Sequence, residues 1–420
     1  MTVSFARTIG IVGAVCLLVQ LVSATFFVRD FTTPNASTAI ARNLIATGRY
    51  ELIGGPEGSR APTPRRAFQL PGEPLYLAAG FLLLPAPLQR YLHLPVTLLF
   101  VMAVTAVAMA AGGESLALVV GLIASLDPFV VAHGPIWDDT FLAAACDWFV
   151  FAVAVTVFVA ATRGQDAPRS RTLALMVAIA CLAGWAGVTR LQSQIQLGLA
   201  GVAIVVLPAT RPMRWLGRSV LAGLAMAVGA WGVRNLIVLG VFFVGSSHDG
   251  QTLYQSVHWQ ARESIVRTGA AQTLLELPAH PGMGELGEDA VFAQQGWEYV
   301  RAQPRDVLAT AAFKIAVSLS GYDFIAPNRS VRNVVVVGFN AILLLTAIWG
   351  WVRWPGQEAS ARVRWFLLLF GSLTALITCV LLALGPVGLR YRVSLNGFLY
   401  LGAGAAVVRI KAPPDRTCRV

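Results

Sequence analysis

The sequence contains few charged residues. Only 13% of its 420 residues are Asp, Glu, Lys or Arg, whereas 56% are hydrophobic. Lysine is almost missing, since Lys314 and Lys411 are the only two, and arginine supplies nearly all of the positive charge. So few charges cannot cover the apolar surface of a water-soluble protein of this size. The composition therefore excludes a soluble globular protein and favours a membrane protein.

Cysteine and internal repetition are also scarce. The five cysteines show no CxxC or Cys/His spacing, and four of them lie in apolar segments, which excludes a disulfide framework and a structural zinc site. No internal repeat is visible, and this weakens the case for a transporter built from inverted repeats. The cysteines are Cys16, Cys146, Cys181, Cys379 and Cys418.

Long apolar segments are what the sequence has in abundance. Many approach the length of about 20 residues that crosses a bilayer as a helix. They predict an all-α polytopic protein with about 10–12 transmembrane helices, forming one membrane domain over 1–420. The segments are 8–28, 73–90, 94–111, 114–133, 139–162, 171–189, 192–208, 217–240, 304–321, 331–352, 363–385 and 392–410.

The distribution of the net charge of +11 predicts the orientation. The loops 163–171, 209–218 and 353–364 each hold three arginines, and short arginine-rich loops remain in the cytoplasm. Both termini then lie in the cytoplasm, and the first segment is read as an uncleaved span. Two large exterior regions follow, 28–72 and 241–303. Basic residues placed in this way determine topology, so no nucleic-acid partner is predicted.

Two segments conflict with this topology. An exterior 28–72 and a cytoplasmic 163–171 require an odd number of crossings, yet four segments lie between them, so one of 73–90, 94–111 and 114–133 does not cross. The segment 304–321, which contains Lys314, begins and ends outside and is predicted to be interfacial or re-entrant.

The first exterior region contains a predicted helix. In "TPNASTAIARNLIATGRYE", Pro34 and Asn35 suit a helix start and Gly48 suits its end. Because the apolar residues between them fall near one face, residues 36–47 are predicted to form an amphipathic helix on the outer leaflet.

Polar residues collect where the spans reach the exterior. Carboxylates there can deprotonate a hydroxyl or bind a divalent cation, and guanidinium groups can bind a phosphate. Chemistry that needs both beside a bilayer is the transfer of a group from a lipid phosphate. The residues are Asp30, Asp138, Asp139, Arg190, Arg234, Arg390 and Arg392.

Several motifs, in order along nearly the whole chain, resemble those of the GT-C-type membrane glycosyltransferases, in particular bacterial relatives of the lipid A aminoarabinose transferase and of the protein O-mannosyltransferases. The combination of "W..RN....G.F......G..L" with a late "RYR" is the most specific. The motifs are "TAIARNLIATGRYE", "LPGEPLYLAAGFLLLP", "DPFVVAHGPIWDDTF", "VTRLQ", "WGVRNLIVLGVFFVGSSHDGQTLY", "WEYVRAQPRDVLATAAFKIAV" and "RYRVSLNGFLYLGAG".

This resemblance implies an inverting transfer of a sugar from a polyprenyl-phosphate donor to a glycan, lipid or protein acceptor. It places the reaction on the outer face of a membrane, here expected to be the bacterial cytoplasmic membrane. The family has a catalytic Asp in the first exterior loop, where this chain has Asn35, and an amide cannot act as a base. Asp30 is predicted to take that role, together with Asp139 and Asp138 at the second acidic position. Asp30 and Asp139 would also hold Mg²⁺ or Mn²⁺.

Five basic residues are expected to bind the donor phosphate. Each candidate site residue, acidic or basic, also has a purely structural interpretation. Asp138 or Asp139 can simply cap a helix, as can Asn35, and Asp30 can pair with Arg29. The cations can extend to the lipid headgroups instead. For the whole protein, the alternatives are a non-catalytic binder of lipid-linked sugars and a lipid or solute transporter. The predicted phosphate-binding residues are Arg234, Arg390, Arg392, Arg190 and Lys314.

Overall fold

The computed structural model describes residues 2–27, 36–53, 64–162, 169–206, 210–268, 283–320, 331–354, 358–385 and 389–408. Within these ranges the chain is helical. Strand-like pairing there is limited to an isolated antiparallel bridge between Leu52 and Arg65. The predicted all-α class is confirmed.

Eighteen α-helices are described, and most begin or end within a few residues of the predicted apolar segments. The first continues into a π-helical turn, Ser23–Phe27, and the last follows a 3₁₀ turn, Leu389–Arg392. The helices are α1 Thr2–Val22, α2 Ala36–Thr47, α3 Gly72–Leu83, α4 Ala86–Gln89, α5 Leu94–Gly112, α6 Glu114–Leu126, α7 Pro128–His133, α8 Asp139–Thr162, α9 Arg169–Gly187, α10 Leu191–Val206, α11 Arg211–Leu239, α12 Asp249–Val257, α13 Trp259–Thr268, α14 Glu285–Ala302, α15 Pro304–Ser320, α16 Val331–Arg353, α17 Glu358–Leu384 and α18 Val393–Val407.

Six stretches are long and apolar enough to cross a membrane, and five shorter helices are apolar as well. The protein is therefore an integral membrane protein. Close helix packing relies on small residues, since a Cβ added to Gly350 of α16 would lie 1.8 Å from the Gly402 carbonyl oxygen of α18. The six stretches are Ser4–Phe27, Ala86–Gly112, Asp139–Ala161, Arg211–Leu239, Val334–Arg353 and Ala361–Leu384.

The bundle has two ends. At one, Ser4 near the start of α1 donates a hydrogen bond to Glu114 at the start of α6 (2.5 Å). We call the other the polar end. It contains the last turn of α1, the start of α8, the turn 188–190 between α9 and α10, and the end of α11. The helix ends that flank the arginine-rich loops lie opposite to it, at Thr162, Arg169, Val206, Arg211, Arg353 and Glu358.

Segment 73–90 is the one that does not cross. Its helix α3 has 12 residues, or about 18 Å, which is too short for the ~30 Å apolar layer. Both flanks lie at the polar end, because Gly72 N–H donates to the Val188 carbonyl (2.8 Å) and Arg90 donates to the Ala24 carbonyl (2.9 Å). The helix also ends at Leu83, before Pro85, so the prediction of one helix over 73–90 was wrong.

Segment 114–133 runs from one end of the bundle to the other, since Glu114 contacts Ser4 and the Val131 carbonyl accepts the Ser23 hydroxyl, but it is not one helix. It breaks at Asp127, between α6 and α7, because Pro128 has no N–H and disfavours helical geometry in the residue before it. The Asp127 carboxylate accepts the Phe129 N–H (2.7 Å) and so begins α7.

Helix α2 spans Ala36–Thr47, as predicted for the first exterior region. It ends at Gly48, whose φ of 71° is the left-handed geometry that glycine adopts without strain. Ile40 and Ala41 are buried, and α2 packs against α3, while Arg42 is exposed. Its placement on the outer leaflet stays a prediction.

Candidate functional site

Arg190, in the turn between α9 and α10, is the centre of the polar end. Its Nη1 donates to the Thr140 hydroxyl (2.5 Å), and its Nε lies 3.6 Å from Asp139 Oδ2. The guanidinium carbon is 4.7 Å from the centre of the Tyr391 ring. Nη2 makes no hydrogen bond within the part of the chain that the structure describes. Three elements far apart in sequence, α8, α10 and the turn before α18, therefore meet at this one side chain.

The neighbouring carboxylates Asp138 and Asp139 have different roles. Asp138 Oδ1 accepts the Thr140 N–H at 2.7 Å, which is the interaction of a helix-capping residue at the start of α8. The Asp139 side chain is 25% exposed and faces Arg190. Asp139 therefore combines partial exposure with a cationic neighbour.

Arg234, near the end of α11, bonds the segment 28–72 to the bundle. Its guanidinium donates to the carbonyls of Arg66 (2.8 Å) and Tyr50 (3.1 Å) and to Asn235 Oδ1 (3.0 Å). It also lies over the rings of Tyr50 and Trp231, at 5.3 and 4.8 Å from the ring centres. Backbone carbonyls of the first loop therefore accompany this charge. Its contact with a phosphate stays a prediction.

Lys314 and Arg392 are both buried and donate hydrogen bonds to other residues of the protein. Lys314 is 1% exposed, and its ammonium donates to the carbonyls of Ser256 (2.9 Å), Ala383 (3.0 Å) and Gly385 (2.8 Å). An ammonium has three N–H donors, so these acceptors match its capacity.

Arg392 is 2% exposed and is held in the same manner. It donates to the carbonyls of Ser318 (3.1 Å) and Leu319 (2.8 Å) and to Asn340 Oδ1. The geometry of both cations is that of structural ties between helix ends. Their predicted role at the phosphate stays untested.

Three further predicted residues have no described side chain. Asp30 and Asn35 lie outside the described residues, so neither the substitute base nor the altered position can be located. Arg390 belongs to the 3₁₀ turn Leu389–Arg392, next to Tyr391, but its side chain is not described.

Two buried aspartates towards the polar end, Asp127 and Asp147, are not among the predicted site residues. Asp127 accepts a hydrogen bond from the Tyr400 hydroxyl, and Asp147 accepts one from the Ser193 hydroxyl (2.8 Å). Both aspartates are at most 2% exposed. A carboxylate inside an apolar run is a signal of function in its own right, and the sequences "SLDPF" and "ACDWF" carry that signal.

A third buried pair lies beside the turn 188–190. His93 Nε2 and Glu73 Oε1 are 3.0 Å apart, and Tyr76 meets the His93 ring edge to face at 5.5 Å. Glu73 follows Gly72, where an added Cβ would lie 2.1 Å from the Thr189 hydroxyl. The pair is thus packed tightly beside the residue that precedes Arg190.

Acidic residues of α14, in the segment 241–303, contact the segment 28–72. Glu285 accepts the backbone N–H groups of Arg66 (2.5 Å) and Ala67 (3.0 Å), and Glu288 pairs with Arg65 (2.7 Å). Burial raises the pKa of the Glu285 carboxyl above its ordinary value, although the two N–H groups lower it in part. This contact holds residues 64–67 between α14 and Arg234.

A divalent cation would need more ligands than the described residues bring together. In the ranges given above, no group of three or more His, Cys, Asp or Glu side chains could hold a metal. The adjacent carboxylates Asp138 and Asp139 supply at most part of a set, so no reaction step is derived through a metal.

Comparison with known proteins gives the fold. No protein-family model and no curated protein matches the chain. The apo oligosaccharyltransferase of Archaeoglobus fulgidus matches with a TM-score of 0.56 and 12% identity, over 96% of this chain and 50% of that one. The same enzyme with an inhibitory peptide and a dolichol-phosphate matches with a TM-score of 0.53, 12% identity and the same coverage.

The ArnT of Cupriavidus metallidurans bound to undecaprenyl phosphate matches with a TM-score of 0.41 and 16% identity, over 94% of this chain and 76% of that one. The chain spans about half the length of the oligosaccharyltransferase. It has the GT-C fold, as predicted.

Proposed function

We propose that this protein is a glycosyltransferase that moves a sugar, with inversion, from a polyprenyl-phosphate donor to an acceptor on the outer face of the membrane. The observation that supports this most is the Asp139–Arg190 pair at the polar end of a GT-C fold. A carboxylate that can take a proton and a guanidinium that can bind phosphate lie side by side there. The solved oligosaccharyltransferase with the same fold is bound to a dolichol-phosphate.

The reaction assigns a role to each member of the pair. An acceptor hydroxyl attacks the anomeric carbon while the bond from that carbon to the phosphate oxygen breaks. The hydroxyl proton passes to Asp139, and the phosphate leaves with the bonding electrons. Arg190 neutralises the charge that develops on the phosphate, and its Nη2 is the donor left over from contacts within the described protein.

The outer face is supported by the arrangement of the arginine-rich loops. The described helix ends that flank them lie opposite to Arg190, and short loops of this kind stay in the cytoplasm. The polar end is then exterior, and the bacterial cytoplasmic membrane is the membrane proposed.

The acceptor is a glycan, lipid or protein, and the helices that follow α11 are placed to meet it. Helices α12 to α14 lie over the polar end, and Glu285 and Glu288 connect them to the first exterior loop. The proposal therefore assigns acceptor choice to 241–303.

The experiment is sugar transfer by membranes that contain the wild type, Asp139→Asn, Asp30→Asn or Asn35→Asp. The donors are radiolabelled polyprenyl-phosphate sugars and the acceptors are endogenous. Transfer that is lost with Asp139→Asn supports the enzyme. Loss with Asp30→Asn as well identifies Asp30 as the displaced base, and proton transfer to Asp139 would then be wrong. Gain of transfer only in Asn35→Asp indicates a decayed site.

Two other outcomes favour the alternatives. Donor binding without transfer from any donor would favour the non-catalytic descendant. Failure to bind any lipid-linked sugar, together with solute uptake by vesicles, would favour the transporter. A chelation arm with and without added Mg²⁺ or Mn²⁺ tests the predicted cation.

A further inference from the structure

Asp147 is a buried carboxylate that the proposed reaction does not use. It lies in α8 two turns after Asp139, is 2% exposed, and accepts a hydrogen bond from the Ser193 hydroxyl at 2.8 Å. Burying an ionisable side chain in an apolar helix is costly, so its partners point to what it does.

The two serines near Asp147 occupy equivalent places in different helices. Ser193 follows Arg190 by three residues at the start of α10, and Ser394 follows Tyr391 by three residues at the start of α18. The Ser394 hydroxyl lies near the Asp147 carboxylate but makes no hydrogen bond to it. Asp147 is thus bonded to the segment that follows Arg190 and lies beside the segment that follows Tyr391.

The next residue of α8, Trp148, holds the start of α18. Trp148 Nε1 donates to the Ser394 carbonyl at 2.9 Å. The Trp148 ring lies against Gly397, where an added Cβ would be 2.1 Å from the ring. The start of α18 is thus held at a fixed distance from α8, with no space for adjustment.

Charge adds to this geometry. Asp147 lies within electrostatic reach of Arg190, which also faces Asp139. Two carboxylates therefore lie within electrostatic reach of one guanidinium. Arg190 Nη2, which makes no hydrogen bond with the described residues, remains available to a ligand.

We infer that Asp147 is a positioning residue, which holds the start of α10 through Ser193 while its neighbour Trp148 holds the start of α18, and so aligns Arg190 and Tyr391 on the phosphate of the lipid-linked donor. This inference rests on the proposed function. Asp147 itself touches neither substrate nor the reacting atoms.

The test compares Asp147→Asn, Ser193→Ala, Ser394→Ala and the double variant Asp147→Asn/Ser193→Ala with the wild type. The matched control is Ser125→Ala, a buried serine whose hydroxyl bonds the Gly121 carbonyl of its own helix at 2.7 Å. KM is measured separately for donor and acceptor, and kcat is normalised to folded protein.

Asp147→Asn should raise the donor KM about tenfold and leave the acceptor KM within about twofold, because a misplaced guanidinium weakens phosphate binding. Ser193→Ala should raise the donor KM about threefold, and Ser394→Ala should raise it less, because the described Ser394 hydroxyl makes no hydrogen bond to Asp147. The double variant should be no worse than Asp147→Asn, since the neutral amide already weakens the same hydrogen bond from Ser193. The control should match the wild type.

A structural role without positioning would lower the folded fraction and leave both KM values unchanged, and that result overturns the inference. If Asp147→Asn does not fold, the two serine variants decide by the same criterion. Binding of undecaprenyl phosphate separates the two proposals. If the wild type transfers no sugar, weaker binding by Asp147→Asn still supports positioning, and unchanged binding overturns it.

Discussion

The polar end of this bundle contains two kinds of buried cation, and their surroundings differ. Lys314 and Arg392, near α15, donate to backbone carbonyls and to one amide, and are at most 2% exposed. Arg190, near α8, meets a hydroxyl, an aromatic ring and a partly exposed carboxylate 3.6 Å away. The sequence predicts a phosphate contact for all three, and only their partners distinguish them.

The comparison teaches that the partners of a buried cation indicate its role better than its position does. Backbone carbonyls cannot leave or change charge, so a cation that they surround is fixed in place. A carboxylate neighbour with solvent access can exchange with an incoming phosphate or accept a proton. We therefore assign the chemistry to the Arg190 region and the bracing of helix ends to Lys314 and Arg392.

Asp139→Asn should have the largest effect. Sugar transfer should fall about 10³-fold, near the middle of the range for loss of a general base, because the amide cannot take the acceptor proton. Asp138→Asn is the matched control, since an Asn also caps a helix, and it should retain transfer within about threefold. Equal losses in both variants would contradict the separation of the two carboxylates.

Lys314→Met should be next and should act on stability. Three carbonyls would lose their donor in an apolar setting, at a cost of about 3 kcal/mol or more to the free energy of unfolding. Thermal unfolding in detergent measures this. A variant with a wild-type midpoint and impaired phosphate binding would instead place Lys314 at the donor.

Arg190→Lys should have an intermediate effect. The charge remains, but the planar fork that reaches Thr140 and stacks on Tyr391 is lost, so kcat/KM for the donor should fall about 30-fold. Steady-state kinetics check this, with Arg218→Lys as the control on the exposed part of α11. Full activity in Arg190→Lys would show that a point charge suffices.

Glu285→Gln should have the smallest effect, visible in the pH dependence of stability. Burial raises the folded-state pKa of Glu285 above its ordinary value of 4.5, so the folded protein binds this proton more tightly than the unfolded chain. Its contribution is complete below pH 4.5 and declines as pH rises through the folded pKa. The unfolding midpoint of the wild type should therefore rise relative to that of Glu285→Gln as the pH is lowered from 7. A constant difference would contradict this.

Much of the fold could be predicted from the sequence because bilayer-length apolar segments and turn residues are local signals. The boundaries of α8 and of α2 agree with prediction, and Gly48 ends α2 as expected. The number of crossings was harder, since an apolar segment such as 73–90 can pack at one end of a bundle without crossing it.

The site was predicted less completely because it depends on contacts between distant helices. Asp139 and Arg190 were identified, but their pairing follows from how α8 packs beside α9 and α10, which no local pattern encodes. Asp147 has no local signature, because a single charge in an apolar run is compatible with an ordinary span. Its hydrogen-bond partner Ser193 is recognisable only in three dimensions.

The central claim is that Arg190, and not the enclosed cations, binds the donor phosphate. Equilibrium binding of undecaprenyl phosphate to the purified wild type, Arg190→Gln and Lys314→Met tests it most directly, with each protein's folded fraction measured in parallel. The account predicts that Arg190→Gln raises Kd at least tenfold, while folded Lys314→Met binds as the wild type does. Unchanged binding in Arg190→Gln, with loss of binding in folded Lys314→Met, would contradict it.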